Sequence, residues 1–227
     1  MKRYFLTVGL ILSSVLFACA QKTQTAAEQA SYTKVITDRS NKIVNVLGIS
    51  DSAKYKRVSA ILVDQYRTLS NIHDTRNADV AAINDAKKQP DADKTALNAK
   101  IAAIDTNVVH QLNKQHTIFL SKLGKELNAN QIGQVKDEMT YKVLEVTYNA
   151  YLDEIPTLTD AQKLKIKNWL IEARELAIDA ESSKAKHGWF DKYKGRINNY
   201  LSAQGYDLKK ENEEWQKRNK DKASQKQ

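Results

Sequence analysis

The scarcity of turn-forming residues constrains the fold of this chain more than any other feature. Seven Gly and two Pro occur among 227 residues, about 4% of the chain against a usual combined share of ~12%. Sandwiches and barrels need many tight turns, which these residues supply, so all-β architectures are excluded. The glycine-rich motifs G-x-G-x-x-G and G-x-x-x-x-G-K-[ST] are also missing, which removes the common nucleotide-binding α/β folds.

The apolar residues instead recur at helical spacing from residue 30 onward. We predict an all-α fold, a helical bundle of six or seven helices in one domain over residues 21–206. A first helix should run from Ala26 to Leu47, and Ser50 should cap the second.

Pro90 lies between two helical stretches of about 35 residues each, which predicts a hairpin about 50 Å long. The distal part of this hairpin, about residues 75–105, is rich in Ala, Asp, Asn and Lys and poor in large apolar residues. We therefore expect a thin two-helix arm that projects from a thicker base.

Two later helix starts share one pattern, in which Asn128 or Thr159 precedes a Gln by three positions. This pattern is a capping box, and the Leu before each cap is a hydrophobic staple residue. The first start predicts a continuous helix from Ala129 to about Ile155 that is apolar on two sides, as a central bundle helix should be.

The second capped start predicts a helix from Asp160 to about Lys186, with Trp169 among its buried residues. Gly188 is expected to interrupt the chain before a further core helix, and Asp207 can cap a charged last helix. Within residues 207–227, the part beyond Arg218 is rich in Lys, Gln and Ser and is predicted to be disordered.

Residues 1–20 have the pattern of an export signal, because Lys2 and Arg3 precede about 13 apolar residues, fewer than the ~20 that span a membrane. Two processing routes fit its end. The letters A-C-A suit ordinary cleavage after Ala20, whereas L-F-A-C resembles a bacterial lipobox in which Cys19 is lipidated. We expect an exported protein, either periplasmic or anchored to the outer membrane through Cys19.

Several classes of chemistry lack support in the sequence. The single Cys excludes a disulfide framework, and the four His show no metal-binding spacing, so no metal or other cofactor is expected. The formal charge is +9, but basic and acidic residues are interleaved throughout, so nucleic acid is not expected as a partner. Glu175 and Asp179 are weak catalytic candidates for glycosidase-type acid/base work, although i,i+4 charges usually form a solvated face. We lean against an enzyme.

The stretch KHGWFDKYKGRINNYLSAQGYDL at 186–208 concentrates aromatic and cationic residues. An indole ring beside cations and an amide can stack on a sugar and bond its hydroxyls or carboxylate. Gly195, inside this helix, suggests a close backbone approach. The predicted ligand-binding residues are Trp189, Lys192, Tyr193, Arg196 and Asn199. The structural alternative is that Trp189 covers the end of the bundle and Gly195 admits a neighbouring helix.

The block from Met139 through Tyr206 resembles a family of exported, all-helical proteins of unknown function from polysaccharide-degrading bacteria. The stretches MTYKVLEVTYNAYLDEIP, LTDAQKLKIKNWLIEARELAIDA and the aromatic segment above carry the resemblance. It implies sugar binding and assigns no catalytic residues. The expected partner is a polysaccharide or oligosaccharide, including acidic ones, held by a non-catalytic accessory protein.

A weaker similarity links the two capped starts to the L-T-x-x-Q motif of small helical periplasmic chaperones. The start at Leu158 matches in full, whereas the start at Leu127 has Asn128 in place of Thr. A periplasmic chaperone or scaffold is therefore the alternative function, and a glycan-active enzyme is a second alternative.

Overall fold

The computed structural model describes residues 25–224 and is all-α, with no strand among these residues. This architecture confirms the predicted fold class, with eight helices in place of six or seven. The helices are α1 (Ala26–Asn45), α2 (Ser52–Ala86), α3 (Lys94–Gly124), α4 (Ala129–Met139), α5 (Val143–Glu154), α6 (Asp160–Ala177), α7 (Ser183–Ala203) and α8 (Leu208–Ser224). The predicted export signal and Cys19 lie outside the described residues.

The helix starts follow capping chemistry closely. Thr25, Asn128 and Thr159 form capping boxes at α1, α4 and α6, and Leu127 and Leu158 before two of them are buried. The cap of α2 is Asp51 rather than the predicted Ser50. The Asp51 carboxylate accepts hydrogen bonds from two backbone N–H groups of the first turn, which neutral Ser50 cannot match.

The two longest helices, α2 and α3, form the predicted hairpin. Buried residues of α2 end at Leu69 and those of α3 begin at Phe119, and no residue between 70 and 118 is buried. The chain reverses between Ala86 and Lys94, around Pro90. The distal part of the hairpin therefore has no enclosed core of its own.

The core of the described chain consists of two clusters. The first joins α1, the bases of α2 and α3, and α4, together with Ile178. The second joins α5, α6 and α7, with Phe190, Ile197 and Leu201 almost fully buried. The α4–α5 and α6–α7 connections lie where the clusters meet.

The predicted continuous helix from Ala129 to Ile155 is wrong, because the chain breaks between α4 and α5. Tyr141 and Lys142 adopt left-handed backbone angles, with φ of 59° and 56°. The two apolar sides have separate uses, since Met139 packs in the first cluster and Leu144 in the second. The break places α4 and α5 against different clusters, and no Gly or Pro marks it.

Several expectations for the C-terminal third are also wrong. α6 ends at Ala177, well before Lys186, and Gly188 lies inside α7, whose N-cap is Ser182. A Cβ placed on Gly195 would meet nothing within 4 Å, so no neighbouring helix approaches there. The chain beyond Arg218 is helical as far as Ser224, because α8 packs against α5 and α7.

Within residues 25–224, the helices lack the combined length and apolar character that a membrane crossing requires.

Candidate functional site

α6 and α7 run antiparallel and bring a row of aromatic and charged side chains to the surface. On α6 the row is Lys165, Trp169 and Glu172, and on α7 it is Tyr193, Arg196 and Tyr200. Each set uses spacings of three and four residues, so its members project within about 60° of one another. We call these six residues the aromatic ladder.

The ladder alternates cations and rings across the seam between the two helices. The guanidinium carbon of Arg196 lies 4.4 Å from the Trp169 ring centroid. The rings of Trp169 and Tyr200 meet edge to face, with centroids 5.4 Å apart. Lys165 Nζ lies 4.6 Å from the Tyr200 centroid. Such contacts fix the positions of the rings at the surface.

The Glu172 carboxylate lies next to Arg196 in the middle of the ladder. Arg196 Nη1 lies 3.4 Å from Glu172 Oε2, and both side chains are about half exposed, at 55% and 52%. Burial, and then the charge of Glu172, raise the pKa of Tyr193, so its hydroxyl remains protonated and able to donate. The centre of the ladder therefore offers a donor, a carboxylate and a guanidinium beside aromatic rings.

The predicted ligand-binding residues fall into two groups. Tyr193 and Arg196 lie in the ladder, and Trp189 extends its α7 row by one turn, half-buried against the second core cluster. Lys192 Nζ lies 5.1 Å from the Trp189 ring centroid. Lys192 and Asn199 are exposed and project farther from the seam.

Trp169 is a ladder residue that was not predicted from the sequence as a site residue. Its spacing predicted a buried position, whereas the structure leaves it half-buried at the seam. The signal that could have found it is Lys165 one turn before Trp169, since a cation at i−4 can lie over the ring at the surface, as Lys165 does here.

A second feature is a cavity of about 440 Å³ that is lined in part by the α6–α7 connection. α1 contributes Tyr32 and Arg39, α2 contributes Tyr66, and Tyr141 comes from the α4–α5 break. Lys186 of α7 is buried beneath it. None of these residues was predicted from the sequence as a site, because they come from four separate parts of the chain.

Lys186 has an identifiable structural role. Its Nζ donates to the backbone carbonyls of Ala177 and Ile178, at 2.9 and 2.8 Å, and so caps the C-terminus of α6. Burial lowers the pKa of Lys186 to about 8, with the charge of Asp179 opposing the shift. The ammonium group thus lies at the cavity without a carboxylate in direct contact.

The weak catalytic candidates Glu175 and Asp179 come together around His116 of α3. His116 Nδ1 lies 2.6 Å from Asp179 Oδ2, and Nε2 lies 3.6 Å from Glu175 Oε2. Glu175 is also bound by Lys136 Nζ at 2.6 Å and by Arg174 Nη2 at 3.3 Å. The carboxylates therefore belong to an ion-pair network that joins α3, α4 and α6.

Both carboxylates are engaged by protein partners within this network. The hydrogen bond to Asp179 is the main cause that raises the pKa of His116. Among residues 25–224, no group of three or more His, Cys, Asp or Glu side chains could hold a metal ion.

The two sequence motifs that resemble the chaperone motif have a structural role. Gln131 and Gln162 accept hydrogen bonds through Oε1 from the backbone N–H groups of Asn128 and Thr159. Both motifs are thus used as helix caps within the bundle.

A comparison with curated proteins finds no match. A family described as "Protein of unknown function (DUF3826)" matches residues 33–221, a span that runs from α1 into α8. It holds the ladder, the ion-pair network and the cavity residues other than Tyr32. Because the match covers most of the chain, the protein belongs to the DUF3826 family.

Proposed function

We propose that this chain is an exported carbohydrate-binding protein that holds a polysaccharide segment along the aromatic ladder. The observation that carries the proposal is the ladder itself, in which half-buried Trp169, Tyr193 and Tyr200 alternate with Arg196 and Lys165 over an open surface. With Trp189, the α7 row extends from Trp189 to Tyr200, a length of about 16 Å.

This geometry suits a linear glycan. The C–H faces of pyranose rings are apolar and pack on aromatic side chains, while hydroxyl groups need hydrogen-bond partners at the ring edges. Exposed Glu172 and Arg196 supply an acceptor and donors midway along the row. An open row without walls favours a chain that extends past the site at both ends.

The charges of the ladder favour an acidic glycan. Lys165, Lys192 and Arg196 project from or beside the seam, against the single carboxylate of Glu172. A guanidinium can bind a uronate carboxylate through two parallel hydrogen bonds. A polyuronate should therefore bind more tightly than a neutral chain of the same length.

The test is affinity electrophoresis and isothermal titration of residues 21–227 with polygalacturonate, alginate and neutral xylan. We expect polyuronate binding that weakens with added salt and that falls at least tenfold in Trp169→Ala. The matched control is Trp215→Ala, because Trp215 is a half-buried surface Trp of α8 whose Nε1 donates to Asp153.

Two results would overturn the proposal. One is the absence of binding to every polysaccharide in the panel by a folded wild-type protein, as checked by circular dichroism. The other is equal affinity of the wild type and the Trp169→Ala protein at an unchanged melting temperature. Suppression of client aggregation without glycan binding would instead support the chaperone alternative.

A further inference from the structure

The cavity between α1, α2 and the α6–α7 connection has the size of a small-molecule site. Its volume is about 440 Å³, within the range of ~300–1,000 Å³ that is usual for ligand pockets. Its walls combine apolar Ile36 and Leu69 with three tyrosines, two cations and two carboxylates. The aromatic ladder contributes none of these residues.

The carboxylates of the cavity already have partners in the protein. Asp74 Oδ2 accepts from Ser70 Oγ at 2.8 Å. Glu181 Oε2 accepts from Asn77 Nδ2 at 3.2 Å and lies 4.0 Å from His73 Nδ1. Each carboxylate of the cavity therefore has at least one hydrogen-bond partner in the protein.

The cations of the cavity have no acidic partner. Arg39 contacts the Tyr66 ring at 5.3 Å from its centroid, and Lys186 bonds only to backbone carbonyls. Within residues 25–224, no carboxylate lies within ion-pair distance of either cation. A ligand with a negative charge can pair with the exposed Arg39 guanidinium, which no carboxylate of the described residues engages.

A tyrosine hydroxyl at the cavity wall also lacks a partner. Tyr66 is 8% exposed, yet its hydroxyl makes no hydrogen bond to any residue that the structure describes. Burial raises the pKa of Tyr66 above its usual range, so the hydroxyl is a protonated donor. The oxygen is not one of the enclosed polar atoms without a partner, so solvent reaches it, and a bound ligand can replace that water as the acceptor.

Tyr141 is held at the cavity by an unfavourable backbone conformation. Its φ of 59° lies in the left-handed region, which a bulky L-residue adopts only at an energetic cost. Its ring is about half exposed and stacks on His187, with centroids 5.5 Å apart. The exposed part of the ring is available to an apolar ligand face.

We propose that this cavity binds the carboxylate-bearing end of a sugar acid, with the carboxylate at Arg39 and the pyranose ring against Tyr141. Tyr66 donates to a ring hydroxyl or to the carboxylate. The volume fits a monosaccharide or disaccharide and not a longer chain. The site is separate from the ladder and does not depend on the proposed function there.

Lys186 is a poor residue to test, because its removal would uncap α6. Arg39 is exposed and contacts only a ring, so Arg39→Gln should fold normally. The matched control is Arg67→Gln. Arg67 is an exposed arginine of α2 that makes one 3.4 Å hydrogen bond to Thr33 of α1. It does not line the cavity.

The experiment is isothermal titration with D-galacturonate, D-glucuronate, D-galactose and acetate as probes. We expect uronate binding that falls at least tenfold in Arg39→Gln, since a lost charge-assisted hydrogen bond is worth at least that factor. Arg67→Gln should keep the wild-type affinity. Trp169→Ala should also keep it, which separates this site from the ladder.

A second pair of variants uses the backbone strain. Tyr141→Gly removes the ring and relieves the left-handed strain, so it should weaken uronate binding without lowering the melting temperature. Lys142→Gly relieves similar strain at the next residue and should leave binding unchanged.

Three results would overturn the inference. They are no uronate binding by the wild type, acetate bound as tightly as the uronates, and unchanged affinity in both Arg39→Gln and Tyr141→Gly.

Discussion

His116 of α3 and Asp179 of the α6–α7 connection are joined by a hydrogen bond of 2.6 Å between Nδ1 and Oδ2. Asp179 also accepts from Gln65 Nε2 at 3.2 Å, and its backbone carbonyl lies 2.8 Å from His73 Nε2. These contacts attach the connection to both helices of the hairpin at the boundary of the two core clusters. Asp179 is 9% exposed, so its partners replace water almost completely.

The first prediction concerns pH. Because the pKa of His116 is raised in the folded state, its contribution to stability is complete below the unfolded pKa of about 6.5. The contribution is lost as pH rises through the folded pKa. The free energy of unfolding should therefore decline above pH 6.5 in the wild type, and less so in His116→Gln, as measured by urea denaturation from pH 6 to 8.

The control for this prediction is His110→Gln, since His110 is exposed on the same helix. It should keep the wild-type pH dependence. Parallel curves for the wild type and His116→Gln would show that the Asp179 contact does not contribute to stability in this pH range.

The second prediction uses two glycines with opposite environments. Gly195 lies inside α7, and a methyl group added there would have open space around it, so Gly195→Ala should raise the free energy of unfolding by about 0.4–1 kcal/mol. Gly205 has a φ of 93°, so Gly205→Ala should lower it by ~1–2 kcal/mol. Equal effects of the two variants in thermal or urea unfolding would contradict the assigned backbone conformations.

The third prediction is that the arm can be removed without unfolding the base. No residue between 70 and 118 is buried, so replacing residues 79–103 with a short turn should leave a cooperative unfolding transition near the wild-type melting temperature. The Arg76–Asp105 ion pair at 2.8 Å would remain at the new tip. Calorimetry and circular dichroism test this directly.

A matched comparison for the arm is Phe119→Ala at its base. Phe119 is 1% exposed, so its truncation should cost about 3–5 kcal/mol. If the shortened protein were less stable than the Phe119→Ala protein, this result would show that the arm contributes to the stability of the base.

The fourth prediction concerns the attachment of α8, which contains no buried residue. Arg218 Nη2 donates to the backbone carbonyls of Asp153 and Glu154, both at 2.9 Å, and so caps the C-terminus of α5. Arg218→Ala should speed amide hydrogen exchange throughout α8 while α6 and α7 remain protected. Lys217→Ala, an exposed neighbour, should have no effect, and equal exchange in both variants would argue against this attachment.

The helical content of this chain follows from local signals. Three capping boxes, the Asp51 cap of α2 and Asp93, whose side chain accepts from the Ala96 N–H at the start of α3, specify most helix starts together with the apolar spacing. These interactions lie within one or two turns of the chain. The hairpin also follows from nearby residues. Pro90 marks its turn, and the scarcity of large apolar residues in the distal part predicts a thin arm. Tyr193 and Arg196 could be predicted as site residues because one helix carries both.

The break at Tyr141 could not be predicted, because no local residue requires it, and for the break after Ala177 the one local signal is the N-cap Ser182. Each break satisfies two core clusters at once, which is a long-range packing demand that overrides the helix-forming tendency of the sequence. Trp169 beside Arg196, His116 beside Asp179, and Arg39 in one cavity with Tyr66 and Tyr141 are all contacts between distant segments. The sequence by itself therefore determined the helices and their caps, whereas only tertiary packing decided which side chains share a surface or a cavity.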